Sequence, residues 1–218
     1  MDRPAGGLQQ VYCALMPNTP RCRGHDSAPG RDAMGMTFRA FVAVDLDEGF
    51  GGRALLPELE GSGADLKLVE PRNIHLTLKF LGETDEALVD GITEAMRQSV
   101  RGVAPFEVRF HGLGAFPNRR NIRVVWVGVQ GAEALVAIAG ALEDNLAELG
   151  FEKEGRFSPH ATLGRLRSRR SGSLPALLEK YADTPLGKMT VRQLALKKSV
   201  LDGRGPTYST VRQVELVA

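Results

Sequence analysis

Cysteine is nearly absent from this 218-residue chain. Its two cysteines, Cys13 and Cys22, lie near the N-terminus, and two cannot form the disulfide framework of a small secreted protein. Long apolar stretches are also missing, since no run approaches the about 18 consecutive residues that a membrane-spanning helix needs. These absences predict a cytoplasmic protein without a membrane segment.

A strong excess of one charge is missing as well. The chain carries 28 basic and 26 acidic side chains, a net charge of +2. This near balance excludes proteins that hold nucleic acid by bulk positive charge, but it allows an enzyme with a local basic cleft. The 43% hydrophobic and 25% charged residues are typical of a globular domain, or of two small lobes.

The first 36 residues differ from the rest. Nine of them are Gly or Pro, and they show no sustained strand or helix period. We interpret 1–36 as a disordered tail or an upstream extension, and 37–218 as the folded domain. Cys13, Cys22 and His25 lie in this tail without a fourth metal ligand, so we expect no metal knuckle there.

The folded part mixes strands and helices without strict alternation, which favours an α+β fold over a doubly wound sheet. Strands are predicted at about 38–44, 66–70, 74–81, 106–110, 122–129, 158–166, 188–200 and 207–217. Helices are predicted within 45–60, from 84 onward, at 131–149 and at 173–182. The helix at 131–149 has the clearest apolar stripe, and Gly150 follows it as a C-terminal signal.

Two of the four histidines occur in matching tetrapeptides 85 residues apart, His75-Leu-Thr-Leu78 and His160-Ala-Thr-Leu163. The probability of such a repetition by chance is on the order of 2 in 10,000. Each copy lies on a predicted strand that follows a turn containing Pro. The repetition suggests two half-domains of similar plan, each contributing one strand.

Strand geometry gives this spacing a chemical meaning. Residues i and i+2 point to the same side of a strand, so His75 and Thr77 share a face, as do His160 and Thr162. If the strands lie side by side, two imidazoles and two hydroxyls meet in one cleft. One imidazole can then accept a proton while the other donates one, and the hydroxyls can bind phosphate oxygens.

Other readings of the histidines stay open at this point. A single histidine on a strand is usually structural, and His111, outside both motifs, is assigned a surface or partly buried role. A zinc site on His75 and His160 would need carboxylate or thiolate partners, whereas the motifs offer threonine, a poor zinc ligand.

Paired motifs of this kind are the signature of the two-histidine phosphoesterase superfamily. The chain resembles its bacterial and archaeal RNA 2',3'-cyclic phosphodiesterases, also called 2'-5' RNA ligases. The resemblance begins at Phe38, leaves the first 36 residues without a counterpart, and covers 39–45, 73–82, 112–117, 123–128, 157–165 and 205–208.

This resemblance implies two pseudo-twofold lobes with mainly antiparallel sheets facing a central cleft and helices outside. It implies hydrolysis of an RNA terminal 2',3'-cyclic phosphate to a 2'-phosphate, with reversible 2'-5' ligation as a related activity and no metal or nucleotide cofactor. His75 would be the proton donor and His160 the proton acceptor. Arg165 matches an arginine that the family places near the phosphate, beside Thr77 and Thr162.

Strict alternation turns Arg165 away from His160, so we expect the strand to bend or end at Gly164. The same alternation places Lys79 near the cleft and Phe80 in the core. Two basic loops, 118–123 and 167–170, could contact the RNA backbone.

Two other functions remain open, a cyclic phosphodiesterase acting on a small nucleotide such as an ADP-ribose cyclic phosphate, and a noncatalytic RNA-end-binding module. We expect a monomer, because one chain supplies both motifs, and RNA ends such as tRNA fragments as the partner.

Overall fold

The structure is a computed structural model that describes residues 36–155, 157–202 and 205–218. The tail predicted for residues 1–36 therefore lies outside the described residues, apart from Met36. The first strand begins at Thr37, where the folded domain was expected to start.

Nine strands and four α-helices form the described part of the chain. The strands are β1 (Thr37–Asp45), β2 (Leu66–Leu68), β3 (His75–Asp85), β4 (Phe106–Asn118), β5 (Asn121–Gln130), β6 (His160–Leu166), β7 (Pro185–Val191), β8 (Gln193–Asp202) and β9 (Gly205–Glu215). The helices are α1 (Leu56–Glu60), α2 (Val89–Ser99), α3 (Glu133–Ala147) and α4 (Leu174–Lys180). The predicted α+β fold is confirmed.

One antiparallel sheet runs through both halves of the molecule, in the order β7-β4-β5-β6-β3-β1-β8-β9, with β2 paired to the end of β6. The midpoint of this order lies between β6 and β3. Each of these two strands carries one of the repeated motifs, and three strands flank it on its outer side. The two halves of the sheet do not correspond to the first and second halves of the chain. The last two strands, β8 and β9, lie in the same half as β1.

The helices cover one face of the sheet and leave the other open. Apolar residues of all four helices share one buried cluster with residues of the sheet, including Leu76 and Leu163 of the motifs. In α3 these are Leu135, Ile138, Leu142 and Leu146, at the spacing of one helix face. The helix ends at Ala147, and Gly150 adopts φ 88°, a left-handed conformation that glycine accommodates readily. None of these four helices has both the length and the apolarity to cross a membrane.

The segment expected to form one late strand, 188–200, forms parts of two. β7 ends at Val191 and β8 begins at Gln193, leaving only Arg192 between them. β7 pairs with β4 and β8 pairs with β1, at opposite ends of the sheet. The chain thus crosses between the halves at a single residue, which local propensity does not reveal.

The helix predicted to begin near Thr84 starts later. Pairing with β1 keeps β3 extended through Asp85. The Asp85 carboxylate then accepts a hydrogen bond from the backbone N–H of Ala87 at 2.9 Å and caps a short 3-10 turn, and α2 follows at Val89.

Candidate active site

The two motifs meet where the halves of the sheet join. Leu76 of β3 pairs with Ala161 of β6 in an antiparallel register, and both side chains are fully buried in the core. The histidines and threonines on either side of this pair are half-buried and point to the opposite, open face. We call the space over this face the cleft.

The antiparallel register arranges the four polar side chains as a square. Since Leu76 lies opposite Ala161, His75 lies beside Thr162 and Thr77 lies beside His160. The two histidines occupy a diagonal, for which antiparallel geometry sets a backbone separation of about 7–8 Å. The structure thus brings His75, Thr77, His160 and Thr162 together, and each imidazole has a hydroxyl from the other motif beside it.

Each motif contains a β-bulge at its leucine. β1 pairs with Thr77 and next with Lys79, so Leu78 is bypassed. In the same way, β5 pairs with Thr162 and next with Gly164, bypassing Leu163. An extra residue in one strand reverses the alternation of the side chains that follow it.

The second bulge brings Arg165 onto the cleft face. Of the two outcomes expected at Gly164, the strand does not end there, because β6 continues to Leu166. It is irregular instead, and the bypassed residue is Leu163, directly before Gly164. Gly164 then faces the core, where Leu66 and Leu68 side chains lie 3.1–3.2 Å from where its Cβ would be.

The first bulge exchanges the expected places of Lys79 and Phe80, so both predictions were wrong. Lys79 is only 2% exposed and lies on the core side. Phe80 is half-buried, lies outside the core cluster and contacts the ring of Phe41 with a centroid distance of 6.3 Å. Phe80 occupies the same place in its half as Arg165 does in the other, three residues after the motif threonine.

The Lys79 ammonium joins the first motif to the segment that leads into the second. It donates to Glu143 Oε2 of α3 at 3.0 Å and to the backbone oxygen of Glu152 at 2.6 Å. The same Glu143 oxygen accepts from the backbone N–H of Glu154 at 2.8 Å. A buried charge is tolerated only when it is paired and hydrogen-bonded, and this network meets that condition.

Both imidazoles make the same hydrogen bond, from Nδ1 to the backbone oxygen two residues earlier. Nδ1 of His75 lies 2.7 Å from the backbone oxygen of Asn73, and Nδ1 of His160 lies 2.7 Å from that of Ser158. A carbonyl oxygen can only accept, so Nδ1 carries the hydrogen in each neutral ring. The other nitrogen, Nε2, is then the atom that can take up or give a proton.

Aromatic rings hold each imidazole in place. Phe41 stacks on His75 at 4.8 Å, and Tyr208 meets the same ring edge-on at 5.3 Å. On the other side, Phe116 meets His160 edge-on at 4.9 Å and Trp126 lies at 6.3 Å. Such pairs fix ring geometry and exclude water from one side of each imidazole.

Burial among these rings favours the neutral form of both histidines. It lowers the pKa of His75 from 6.5 to about 4, and it also lowers the pKa of His160. The Arg165 guanidinium adds to the lowering of both pKa values, so it lies within electrostatic reach of both rings. At neutral pH both imidazoles of the free protein are uncharged.

An ion pair borders His75 on its own half. Asp45 lies opposite His75 in the β1–β3 register, and both its carboxylate oxygens accept from Lys197 Nζ at 2.8 and 2.9 Å. The Asp45 charge raises the pKa of His75 and the Lys197 charge lowers it. Lys197 therefore offsets the effect of Asp45.

The remaining candidates lie away from the square. His111 is partly buried and pairs with Asp183 at 3.3 Å. Arg119 and Arg120 are exposed at the β4–β5 turn, and Arg167 to Arg170 form an exposed loop after β6. Among the described residues, no three His, Cys, Asp or Glu side chains are grouped as metal ligands.

The sequence profile of the 2'-5' RNA ligase superfamily matches residues 59–203, a segment that contains both motifs and more than half of the chain. The chain belongs to the 2'-5' RNA ligase superfamily. Membership confirms the relationship that the paired motifs indicated.

Relatives in this superfamily cover nearly all of the described domain. The chain is 38% identical over 184 residues to the RNA 2',3'-cyclic phosphodiesterase of Methanothermobacter thermautotrophicus, an alignment spanning 83% of this chain and 100% of that protein. It is 38% identical over 179 residues to the protein of the same name from Archaeoglobus fulgidus, spanning 81% and 99%.

Solved structures share the fold. A crystal structure of a Thermus thermophilus protein superimposes with a TM-score of 0.68 at 30% identity, covering 82% of this chain and 97% of that one. E. coli LigT in its apo form superimposes with a TM-score of 0.65 at 24% identity, covering 84% and 99%, and shows likeness of fold.

Most of the cleft's walls could not be assigned from the sequence. Phe41, Phe116, Trp126 and Tyr208 all lie in segments of the family resemblance, which was the one signal available for them. They come from strands that carry no histidine motif, and only the sheet order places them beside the histidines.

Proposed function

We propose that this protein hydrolyses the terminal 2',3'-cyclic phosphate of RNA to a 2'-phosphate. The observation that carries the proposal is the square of alternating imidazoles and hydroxyls at the β3–β6 join, with Arg165 in reach of both rings. The relatives named RNA 2',3'-cyclic phosphodiesterase support the same reaction.

In this mechanism the histidines act on opposite sides of the phosphorus. Nε2 of His160 accepts a proton from water, and the water oxygen attacks the phosphorus. The bond from phosphorus to the 3'-oxygen breaks, and Nε2 of His75 donates a proton to that oxygen. The product keeps its phosphate on the 2'-oxygen.

In this mechanism His75 must be protonated, and the bound substrate favours that state. Neutral His160 suits a proton acceptor, but His75 with a pKa of about 4 lacks the proton that a donor needs at pH 7. A cyclic phosphate carries a negative charge, and an anion near the ring favours imidazolium. Substrate binding therefore supplies the condition under which His75 takes up its proton.

Thr77, Thr162 and Arg165 are assigned to the phosphate. Each hydroxyl lies beside the histidine of the other motif, where it can donate to a nonbridging oxygen without competing for the reacting protons. The Arg165 guanidinium can bind phosphate oxygens in a bidentate manner. This donor set stabilises the charge that develops in the transition state with no metal or nucleotide cofactor.

Phe80 offers a surface for the terminal base. Its ring lies on the His75 side of the cleft, against Phe41. Aromatic side chains stack with any base, so a base bound by Phe80 alone would not be selected by its identity. The ribose and base would then occupy the half that carries the proton donor.

The decisive experiment uses a short RNA ending in 2',3'-cyclic phosphate and, in parallel, a cyclic mononucleotide, both in EDTA. We expect a 2'-phosphate product from the wild type. His75→Ala and His160→Ala should each lose about 10²–10⁴-fold in turnover, the range for one general acid or base. A 3'-phosphate product, or near-normal turnover by His160→Ala, would refute the mechanism.

The same assay separates the other possibilities. Turnover of the mononucleotide alone would indicate a small-nucleotide enzyme, and binding without turnover would indicate an RNA-end-binding module. Inhibition by EDTA with rescue by zinc would favour a metal mechanism. Reversible ligation, action on tRNA fragments, a monomeric state and a cytoplasmic location stay predictions.

A further inference from the structure

Tyr208 lies against His75 although the pairing of the strands does not bring the two residues together. In the sheet, Tyr208 of β9 pairs with Ser199 of β8, and Ser199 pairs with Arg39 of β1. Arg39 in turn pairs with Glu83 of β3. Glu83 is eight residues from His75 along β3, a distance of about 26 Å at about 3.3 Å per residue. The rings of Tyr208 and His75 are nevertheless 5.3 Å apart, so the beginning of β9 bends over the cleft toward His75.

The first four residues of β9, Gly205–Tyr208, also approach the other half of the sheet. We call them the crossing segment. A Cβ added at Gly205 would lie 3.5 Å from Nζ of Lys67 in β2, and β2 pairs with the end of β6. At its other end, the Tyr208 ring contacts that of Phe41 at 5.1 Å. The crossing segment therefore borders the cleft from one half of the sheet to the other.

A side-chain hydrogen bond ties the crossing segment to the first motif. Nδ2 of Asn73 donates to the backbone oxygen of Pro206 at 3.0 Å. Asn73 is half-buried and lies two residues before His75, whose Nδ1 donates to the Asn73 backbone oxygen at 2.7 Å. One residue therefore contacts both the imidazole of the first motif and the segment that packs on it.

Tyr208 depends on such a tether more than the other aromatic walls do. Trp126 and Phe116, beside His160, lie on β5 and β4, the two strands that follow β6 in the sheet. Phe41 lies on β1, directly next to β3. Tyr208 comes from β9, which lies three places from β3. The ladder hydrogen bonds of adjacent strands hold the first three walls, whereas the position of Tyr208 depends on contacts outside the ladder.

We propose that Asn73 is a positioning residue for the proton donor, because its amide holds the crossing segment where Tyr208 packs on His75. The inference rests on the proposed function and on its assignment of His75. Without the amide, the hydrogen bond to Pro206 is lost and Tyr208 is free to leave the ring. The imidazole then loses one wall, admits water and gains rotational freedom, so Nε2 is no longer directed at the departing 3'-oxygen.

The charges that act on His75 stay in place when the amide is removed. These charges belong to Asp45, Lys197 and Arg165. Burial is the largest cause of the lowered pKa of His75, and burial also raises the pKa of Tyr208. Loss of the Tyr208 contact should therefore raise the pKa of His75 from about 4 toward 6.5.

The contact can be observed by NMR in the free protein. The wild type should show nuclear Overhauser effects between the ring protons of Tyr208 and His75. Asn73→Ala should lose them, and its His75 pKa should rise while the pKa of His160 stays as in the wild type. Thr207→Ala is the matched control, because it removes an exposed side chain of the crossing segment and leaves the hydrogen bond intact. It should behave as wild type.

Two further variants separate the hydrogen bond from the loss of side-chain volume. Asn73→Asp keeps the volume but cannot donate to Pro206, so the Overhauser effects should disappear in this variant too. Tyr208→Ala removes the wall directly and should raise the His75 pKa. Adding Asn73→Ala to it should raise this pKa no further, because the amide acts through Tyr208.

Hydrolysis of the short cyclic-phosphate RNA gives the catalytic readout. Asn73→Ala should lower kcat about tenfold or more and leave KM within about threefold, since a misplaced donor slows the chemical step while the phosphate contacts remain. Thr207→Ala should keep both constants.

The outcomes distinguish this inference from the proposed function. The role of Asn73 is overturned by Overhauser effects that are absent from the wild type or retained in Asn73→Ala. An unchanged kcat, a His75 pKa that stays near 4, or a joint shift of the His75 and His160 pKa values would overturn it equally. In each case the proposed function stands as long as the wild type hydrolyses the RNA. If the wild type does not, the proposed function fails, and the role of Asn73 fails with it.

Discussion

Replacing Lys79 by methionine tests whether the buried ion pair behind the first motif holds the fold together. Methionine keeps the length and apolar stem of the side chain but removes the ammonium. Glu143, whose side chain is 17% exposed, then loses its charged partner, and the backbone oxygen of Glu152 loses its donor. Removing one member of a buried pair costs about 3–5 kcal/mol, because the remaining charge stays buried and unpaired.

The expected loss can be read from equilibrium unfolding in urea. Lys79→Met should lower the free energy of unfolding by about 3–5 kcal/mol. The double variant Lys79→Met/Glu143→Gln should lose less than the two single variants added together, because no unpaired charge remains.

Lys153→Met is the matched control for this experiment. Lys153 also pairs with a carboxylate of α3, Asp144 at 2.6 Å, but both side chains are exposed and solvent screens them. Its replacement should have little effect on stability. If Lys79→Met costs no more than Lys153→Met, or if the double variant is additive, the assigned role of the buried pair is wrong.

The remaining predictions concern the cleft. In an NMR titration of the free protein, His75 should titrate near pH 4, well below 6.5. Bound inorganic phosphate should raise the pKa of His75. A midpoint above pH 6 in the free protein would contradict the argument that burial lowers this pKa. Because this pKa is lowered by folding, its contribution to stability is complete above about pH 6.5 and is lost as the pH falls toward 4, so His75→Gln should flatten the acid limb of a pH–stability curve. Lys197→Met should raise the His75 pKa, since it leaves the Asp45 charge unopposed, and an unchanged midpoint would refute that pairing. Phe80→Ala should raise the KM for a cyclic mononucleotide about tenfold or more with little change in kcat, in line with about 1–3 kcal/mol per stacked base, and an unaltered KM would place the base elsewhere.

The local pattern of apolar and polar residues was enough to predict much of the fold. The strands around both motifs and the long helix after β5 follow from apolar periodicity, because burying one face imposes the same period on sequence and structure. The pairing of His75 with Thr77 on one face follows from the two-residue repeat of a strand. The meeting of the motifs could be proposed because the repetition itself implied two related halves.

The bulge in the first motif had no sequence signal, and the one in the second was expected only as a bend or an end of the strand at Gly164. Leu78 and Leu163 are ordinary strand residues, and nothing in their side chains marks a residue that the neighbouring strand bypasses. The bypass depends on the register of β1 against β3 and of β5 against β6, which is a property of paired strands. It decided that Phe80 faces the cleft and Lys79 the core.

By itself, the sequence determined the chemistry of this protein: two imidazoles, each with a hydroxyl two residues away, on strands that had to bury their leucines. Only the tertiary structure decided what surrounds that chemistry, including the bulge that turns Arg165 onto the cleft face and the aromatic walls around both rings. The physical reason is the distance along the chain between the residues that interact. A strand's own alternation is set by bonded neighbours, whereas the contents of a cleft depend on which distant strands pair and in which register.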